Sequence, residues 1–392
     1  MLDIGSPPPD WLPGKVLVTS ARLPWATIWR SAHQIPRHMA AHLECVYLEP
    51  LVHARRVFSR KDEVITFTMP VPTGLTVWRS PRWLPTQERW PNIESTVRGF
   101  RMRRLRRWLD HRELQPILYI FDSKYQYRRR YFPSAPVVYH LYDDVLRQEG
   151  GEELRDSERR LLETADLVIA CSPELADSKR HLRSDIEVIP NGVDYGMFAT
   201  PPITQSTLLQ TLPRPRLGYV GAINRKLDIP ALHEIAEAFP SGSVILVGPV
   251  GFSKDQPSHP FQALVERSNV HVLPPVHPFM VPGLLRELDV GIAPYTLDSW
   301  ADVSFPLKLF EMLAVGIPTV STPVPGAIAL KKAVRLATNR EDWPATVRGA
   351  LAGDGGMTAE ARQAVARDHD WSIRARAIAG LLADTMSNRA DR

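Results

Sequence analysis

The sequence predicts an α/β protein of two successive domains, each a doubly wound, Rossmann-like parallel sheet with helices on both faces. Its 392 residues exceed one ordinary core and suit two domains of about 150–200 residues. Short, continuously apolar runs alternate with helical patterns, as strands buried on both faces require. The alternation breaks over residues 195–215, rich in Pro, Thr and Gln, and then begins afresh. These breaks set residues 1–200 as an N-terminal domain, 201–215 as a linker, 216–370 as a C-terminal domain and 371–392 as a closing helix.

In the first half the strand signals fall at 16–20, 45–48, 66–72, 75–78, 117–121, 137–141, 167–170 and 186–189. Helices are expected up to about His42 and over 152–164. The second series runs 217–220, 243–247, 270–273, 290–293 and 318–321. Ligands of such sheets sit outside the carboxyl ends of the strands, which directs attention to the loops that follow them.

Hydrophobic residues at 44% and charged residues at 23% are those of a soluble globular protein. No run of about 18 apolar residues crosses a bilayer, and no basic segment leads into an apolar stretch at the start, so no signal peptide is expected. Cys45 and Cys171 lack metal-ligand spacing and read as reduced thiols of a cytoplasmic protein. The net charge of +5 is uneven, for residues 1–140 carry 22 Lys and Arg against 11 Asp and Glu. Arginines cluster at Arg98, Arg101, Arg103, Arg104, Arg106, Arg107 and Arg112, and again at Arg128, Arg129 and Arg130 among Tyr125, Tyr127, Tyr131 and Phe132. Met102, Leu105 and Leu109 share a helical face, which puts the arginines outward. Such a surface either attracts phosphates, anionic lipid or nucleic acid, or is simply a solvated helix face.

The most informative segment begins at Ser304 and reads SFPLKLFEMLAVGIP. Proline near its start and Gly316 at its end bracket a short helix. Leu307, Phe310 and Ala314 are expected on its buried face, with Lys308 and Glu311 together on the other. The preceding strand runs into Pro294-Tyr295, so the helix start faces the strand ends. Backbone N–H groups there suit a diphosphate, and a carboxylate one turn further in accepts hydrogen bonds from the two hydroxyls of a ribose. A surface helix with an ordinary Lys–Glu pair fits the spacing equally.

The chain resembles the GT-B glycosyltransferases, in particular the family 4-like (group 1) members. The segment PLKLFEMLAVGIPTVST is similar to their nucleotide-sugar signature. Three further matches stand in the expected order: residues 158–172, the IPNGVD run at 189–194 with Phe198, and the LGYVGAI run at 217–223. The resemblance implies two Rossmann-like domains facing across a cleft, with the closing helix packing back on the first. It implies a nucleotide-sugar co-substrate (UDP-, GDP-, ADP- or dTDP-linked) and no other cofactor, and transfer with retention. By motif, Glu311 would bind the ribose, and the backbone from Pro306 through Leu307 and Lys308 to Leu309 would face the diphosphate. Gly221 would open the domain, with Arg225 and Lys226 neutralising phosphate. The loop 273–278 would hold the base through backbone, leaving His277 a structural role. The family often places a second glutamate eight residues before the first; Val303 stands there, with Asp302 beside it as the stand-in.

Breaking the C1–O bond requires a stabilised leaving diphosphate, which helix N-termini and fixed cations provide. Metal-dependent transferases usually carry Asp-x-Asp at a strand end. Here that pattern occurs at Asp368-His369-Asp370, away from any strand, so no catalytic metal is expected. The acceptor side falls to Trp25, Trp29, Arg30 and His33 in the first loop, and to His140, Asp143 and Asp144 at a strand end. Asp143 or Asp144 is the favoured polar group near C1; a core histidine and a helix cap are the alternative readings of His140 and one aspartate.

The function expected is sugar transfer from a nucleotide diphosphate to a hydroxyl acceptor, lipid-linked acceptors included, in exopolysaccharide or other envelope glycan assembly. The basic half would rest on an anionic membrane surface at its inner face. Tailoring of a small molecule and sugar-nucleotide epimerisation are the enzymatic alternatives. A nucleic-acid or anionic-surface binding protein is the non-enzymatic one, although no nucleic-acid partner is expected. A dinucleotide oxidoreductase is disfavoured, because no G-x-G-x-x-G follows a first strand.

Overall fold

The structure, a computed structural model, describes residues 12–20, 22–27, 29–51, 67–79, 91–144, 151–200, 209–252, 260–297 and 305–390. The chain divides into two compact units, Met1–Ile189 with Ser372–Arg392, and Pro190–Trp371. Each is built on an all-parallel sheet.

The first unit holds β1 (Lys15–Ser20), β2 (Glu44–Leu48), β3 (Leu75–Trp78), β4 (Gln115–Ile120), β5 (Val137–Leu141), β6 (Leu167–Ala170) and β7 (Ile186–Val188). They lie in the order β3-β2-β1-β4-β5-β6-β7. Parallel pairing denies these strands hairpins, so each connection crosses over. All five residues of β5 and all four of β6 are buried. The strand order reverses between β1 and β4, which makes their carboxyl ends the ligand-binding position of the sheet.

The second unit repeats the plan with β8 (Arg216–Val220), β9 (Ser243–Val247), β10 (Val270–Leu273), β11 (Val290–Ala293), β12 (Thr319–Ser321) and β13 (Arg335–Leu336). Their order is β10-β9-β8-β11-β12-β13, with the reversal between β8 and β11. Polar residues start the covering helices. Ser172 accepts from Leu175 N, Asp228 from Ala231 N and Thr358 from Ala361 N, each satisfying a backbone donor of a first helical turn.

Several expectations are corrected. Residues 67–72 form no strand, and Pro70 and Pro72 there lack the N–H a ladder needs. Residues 195–199, where no regular element was expected, form the helix Tyr195–Ala199 with Asp194 as its cap; residues 201–208 lie outside the described part. The two-residue β13 carries no sequence signal. In the helix Pro91–His111 the stripe Met102, Leu105 and Leu109 is buried, but Arg101 is buried with it rather than facing out. Arg128 is likewise interior. The helix Trp371–Ala390 belongs to the first unit from Ser372 onward. There Arg389 pairs with Asp166 at 3.2 Å and donates to the Ser134 carbonyl. Among the described residues no helix is long and apolar enough to cross a membrane.

Candidate functional site

In the second unit the carboxyl ends of β8 and β11 carry three converging pieces of backbone. The first is the turn after β8. Gly221 N donates to the Val247 carbonyl and Ile223 N to that of Pro249, which seats this turn on the one after β9. Gly248 there has φ +148°, and a Cβ on it would stand 1.9 Å from the Gly221 carbonyl oxygen. Only glycine fits such a position.

The second piece carries Arg225 and Lys226, exposed and half-buried respectively. Asn224 Oδ1 accepts from Lys226 N at 3.0 Å, and Thr296 N donates to the Lys226 carbonyl at 2.9 Å. The basic pair is thereby held against the end of β11. Tyr295, buried beside Tyr219, marks the same edge. Burial foremost, then Tyr219 and the Glu311 carboxylate, keep its phenol neutral.

The third piece is the helix Leu307–Val315. Pro306 precedes it in extended conformation, and no side chain caps its first turn. Its C-terminal Gly316 takes the left-handed φ of 86° that ends helices. Leu309, Phe310, Met312, Leu313, Ala314 and Val315 are buried, whereas Leu307, expected inside, is half-buried. The helix is thus enclosed on nearly all sides. Its accessible strip holds Lys308 Nζ 2.9 Å from Glu311 Oε2, with side chains 24% and 15% exposed. A Cβ added to Gly326, just past β12, would meet Phe305 and Pro306 at 3.0 Å, so the helix starts at the carboxyl edge of the sheet. Asn191 Nδ2 donates to the Phe305 carbonyl at 2.9 Å, and Phe310 stacks on both Phe305 and His369. Nothing in spacing alone had given Asn191 or Tyr295 a role.

Asp302 and Ser304, with Val303, lie outside the described residues. His277 caps a short turn by accepting from Phe279 N at 3.2 Å. Asp370 accepts from Tyr195 N at 2.8 Å. Among the described residues no group of three His, Cys, Asp or Glu is placed to hold a metal.

In the first unit Trp25, Trp29 and His33 are interior, at 0%, 7% and 1% exposure. Trp25 Nε1 donates to the Pro70 carbonyl, and Trp29 Nε1 to that of Trp25. His33 Nδ1 accepts from Arg30 N, while its Nε2 lies within hydrogen-bond range of Tyr47 Oη and the Pro24 carbonyl. Burial, the leading cause, lowers its pKa to about 4. These three side chains fix the loop, and of the four residues singled out there Arg30 is the exposed one.

His140 is also interior. It shares a 2.7 Å hydrogen bond with Tyr119 and stacks on Phe121, and burial lowers its pKa to about 3. Beyond it the two aspartates differ. Asp144 is buried and accepts from Lys179 Nζ at 3.1 Å; the same ammonium reaches Glu158 at 3.0 Å, and Glu158 accepts from Tyr139. Asp143 is half-buried. At the β1/β4 reversal Arg22 pairs with the wholly buried Asp122, a contact that sequence spacing does not reveal.

Two all-parallel sheets of these strand orders, the second with an open helix start at its reversal point, constitute the GT-B fold of glycosyltransferases. Residues 214–366 match the family described as glycosyl transferases group 1, and residues 53–196 match glycosyltransferase family 4. Two successive stretches of the chain thus match glycosyltransferase families. It is 32% identical over 235 residues to TuaH of Bacillus subtilis (strain 168), a protein named for a role as a teichuronic acid biosynthesis glycosyltransferase. That match takes in 57% of this chain and 58% of TuaH, so the chain spans little more than half the length of that relative. Similar solved structures include HepE of Anabaena in complex with UDP and glucose. It has a TM-score of 0.69 and 16% identity, and the match covers 94% of this chain and all of that one. The sucrose-phosphate synthase of Thermosynechococcus elongatus has a TM-score of 0.70 and 14% identity, with 95% and 100% covered.

Proposed function

We propose that the chain transfers a sugar from a nucleotide diphosphate to a hydroxyl acceptor, with UDP as the nucleotide and retention at the anomeric carbon. The observation that carries this reading is the uncapped start of helix Leu307–Val315 with Glu311 one turn inside it. First-turn N–H groups there are unclaimed by any side-chain cap and carry the positive end of the helix dipole. The diphosphate sits on them, flanked by Arg225 and Lys226, and Glu311 accepts from the ribose hydroxyls. Negative charge that develops on the leaving diphosphate meets dipoles and cations already in place, so no metal is invoked. UDP is favoured because HepE was solved with UDP and glucose.

The acceptor side belongs to the first unit. Asp143, half-buried beyond β5 where Asp144 is fully buried, is the carboxylate proposed near the reacting carbon. His140, Trp25, Trp29 and His33 would act by shaping that edge from within, and Arg30 by meeting the acceptor. The product is assigned to envelope glycan assembly by likeness to TuaH. Exposed Phe100 at 46% and the outward arginines of helix Pro91–His111 support contact with an anionic membrane surface. Calorimetric titration with UDP, GDP, ADP and dTDP tests the donor assignment. Binding of UDP, weakened at least about tenfold in Glu311→Ala, is expected; no binding of any nucleoside diphosphate would overturn it.

A further inference from the structure

The fold of the first unit takes two guanidiniums out of water, those of Arg101 and Arg128, at 4% and 2% exposure. Arg101 reaches from helix Pro91–His111 to the end of the sheet. Its Nη2 donates to the carbonyls of Glu49, just past β2, and Trp78, the last residue of β3. Arg128 comes from the turn Ser123–Arg130 beyond β4, with its guanidinium 4.3 Å over the Tyr125 ring and 5.8 Å over Tyr127. Burial chiefly, and then the charge of Arg128, lower the Arg101 pKa to about 10.

Neither charge is neutralised by an ion pair among the described residues. Glu49, whose charge acts on Arg101, accepts from Trp25 N and pairs with Arg79 at 3.5 Å. Asp122 is held by Arg22 and by Lys124 N. Three nitrogens, Arg101 Nε and Arg128 Nε and Nη1, are buried with no hydrogen-bond partner among the described residues. Two like charges and three unmet donors under cover are costly, and folds rarely keep them without something to receive them. All of this lies at the carboxyl edge of the sheet, beside the β1/β4 reversal where open sheets take ligands.

We propose that Arg101 and Arg128 form a binding site for a phosphate-ester oxyanion on the first unit, separate from the diphosphate grip of the second. A dianion matches two guanidiniums, whereas a carboxylate would leave one charge uncompensated. Guanidinium N–H groups are the donors best suited to phosphate oxygens. If the chain transfers sugars as proposed, this anion is carried by the acceptor; the binding itself does not depend on that reading.

The test uses the full chain at constant ionic strength, saturated with UDP to fill the second unit, and titrated with inorganic phosphate. Wild type is expected to bind phosphate at least tenfold more tightly than Arg128→Gln. Without phosphate, Arg128→Gln should be no less stable than wild type, because it loses an unpaired buried charge. An equal response of the two proteins, or none in wild type, overturns the site. Should Arg128→Gln fail to fold, 31P line broadening with wild type and Arg128→Lys makes the same comparison, and equal broadening has the same meaning. Glycerol 3-phosphate and phosphatidic acid vesicles distinguish a soluble ester from a lipid headgroup: Arg128-dependent binding of either names the source. Absence of UDP binding would count against the donor reading alone, since an Arg128-dependent phosphate response would still stand.

Discussion

The side-chain amide of Asn191 donates to the carbonyl of Phe305 across 2.9 Å, joining the Asn191-Gly192 segment to the residue that leads into helix Leu307–Val315. That segment is itself pinned, because a Cβ on Gly192 would stand 2.5 Å from the His369 carbonyl. The start of the helix is therefore positioned by a segment more than a hundred residues earlier. Asn191→Ala leaves that carbonyl unmet, which costs about 1–3 kcal/mol of stability. UDP affinity is expected to fall roughly tenfold, read by calorimetry beside a urea denaturation curve. Unchanged affinity would show that the helix start holds its place without Asn191.

Glu311 is the ribose ligand of the proposed site. Its replacement by alanine removes charge-assisted hydrogen bonds worth about 1.5–3 kcal/mol, a loss of about 10- to 150-fold in nucleotide affinity. Lys308→Ala breaks a partly solvated i,i+3 pair and should cost less than about 1 kcal/mol of stability. Isothermal titration and thermal denaturation of the two variants separate these effects.

Lys179 stands between Asp144 and Glu158 with all three side chains at most 7% exposed. Lys179→Met strands two carboxylates indoors, and a loss of about 3–5 kcal/mol is expected by chemical denaturation. The same geometry separates the neighbouring aspartates. Asp144→Asn should lower stability more than Asp143→Asn does, whereas Asp143→Asn should lower kcat more than Asp144→Asn does. The reverse pattern would move the proposed reacting-side carboxylate to Asp144.

His33 is neutral in the fold, with its pKa depressed from 6.5 to about 4 by burial first and Arg30 second, against the Pro24 hydrogen bond. The unfolded chain takes up a proton near pH 6.5 that the native one refuses. Its contribution to stability is present above that pH and is lost as pH falls toward 4, on the order of a few kcal/mol. Denaturation midpoints at pH 7 and pH 4.5 should differ by less in His33→Gln than in wild type. His140, lowered to about 3, acts with the same sign over a window reaching further down.

Much of the sheet plan was legible because strands buried on both faces write themselves as apolar runs, as in Val137–Leu141 and Ser243–Val247. Residues 66–72 misled because alternation looks alike whether or not prolines remove the ladder donors. The helix Leu307–Val315 was bounded correctly by Pro306 and Gly316. Phe310 and Ala314 are buried as expected, but Leu307 is only half-buried and Leu309, Met312, Leu313 and Val315 are buried as well, because a helix enclosed on nearly every side has no single apolar stripe. Arg101 and Arg128 sat within runs of arginines that read as solvent-facing. Nothing local shows that two of those side chains turn inward, since Arg101 reaches carbonyls at the ends of distant strands and Arg128 goes inside with the rings of its own turn. Tryptophans in a loop looked like an offered surface; Trp25 and Trp29 instead staple the loop, using their N–H groups on Pro70 and Trp25.

A side chain on Gly248 would run into the Gly221 carbonyl, and one on Gly221 into the ring of Tyr219, so both positions must stay bare. In the proposed site that bare main chain suits any nucleoside diphosphate and leaves nothing to vary. Engineering a change of nucleotide would gain little from mutagenesis there. Libraries are better aimed at the residues that follow β10, from Pro274 to His277, where Pro274 is exposed, the next three are only half-buried, and variation can be borne.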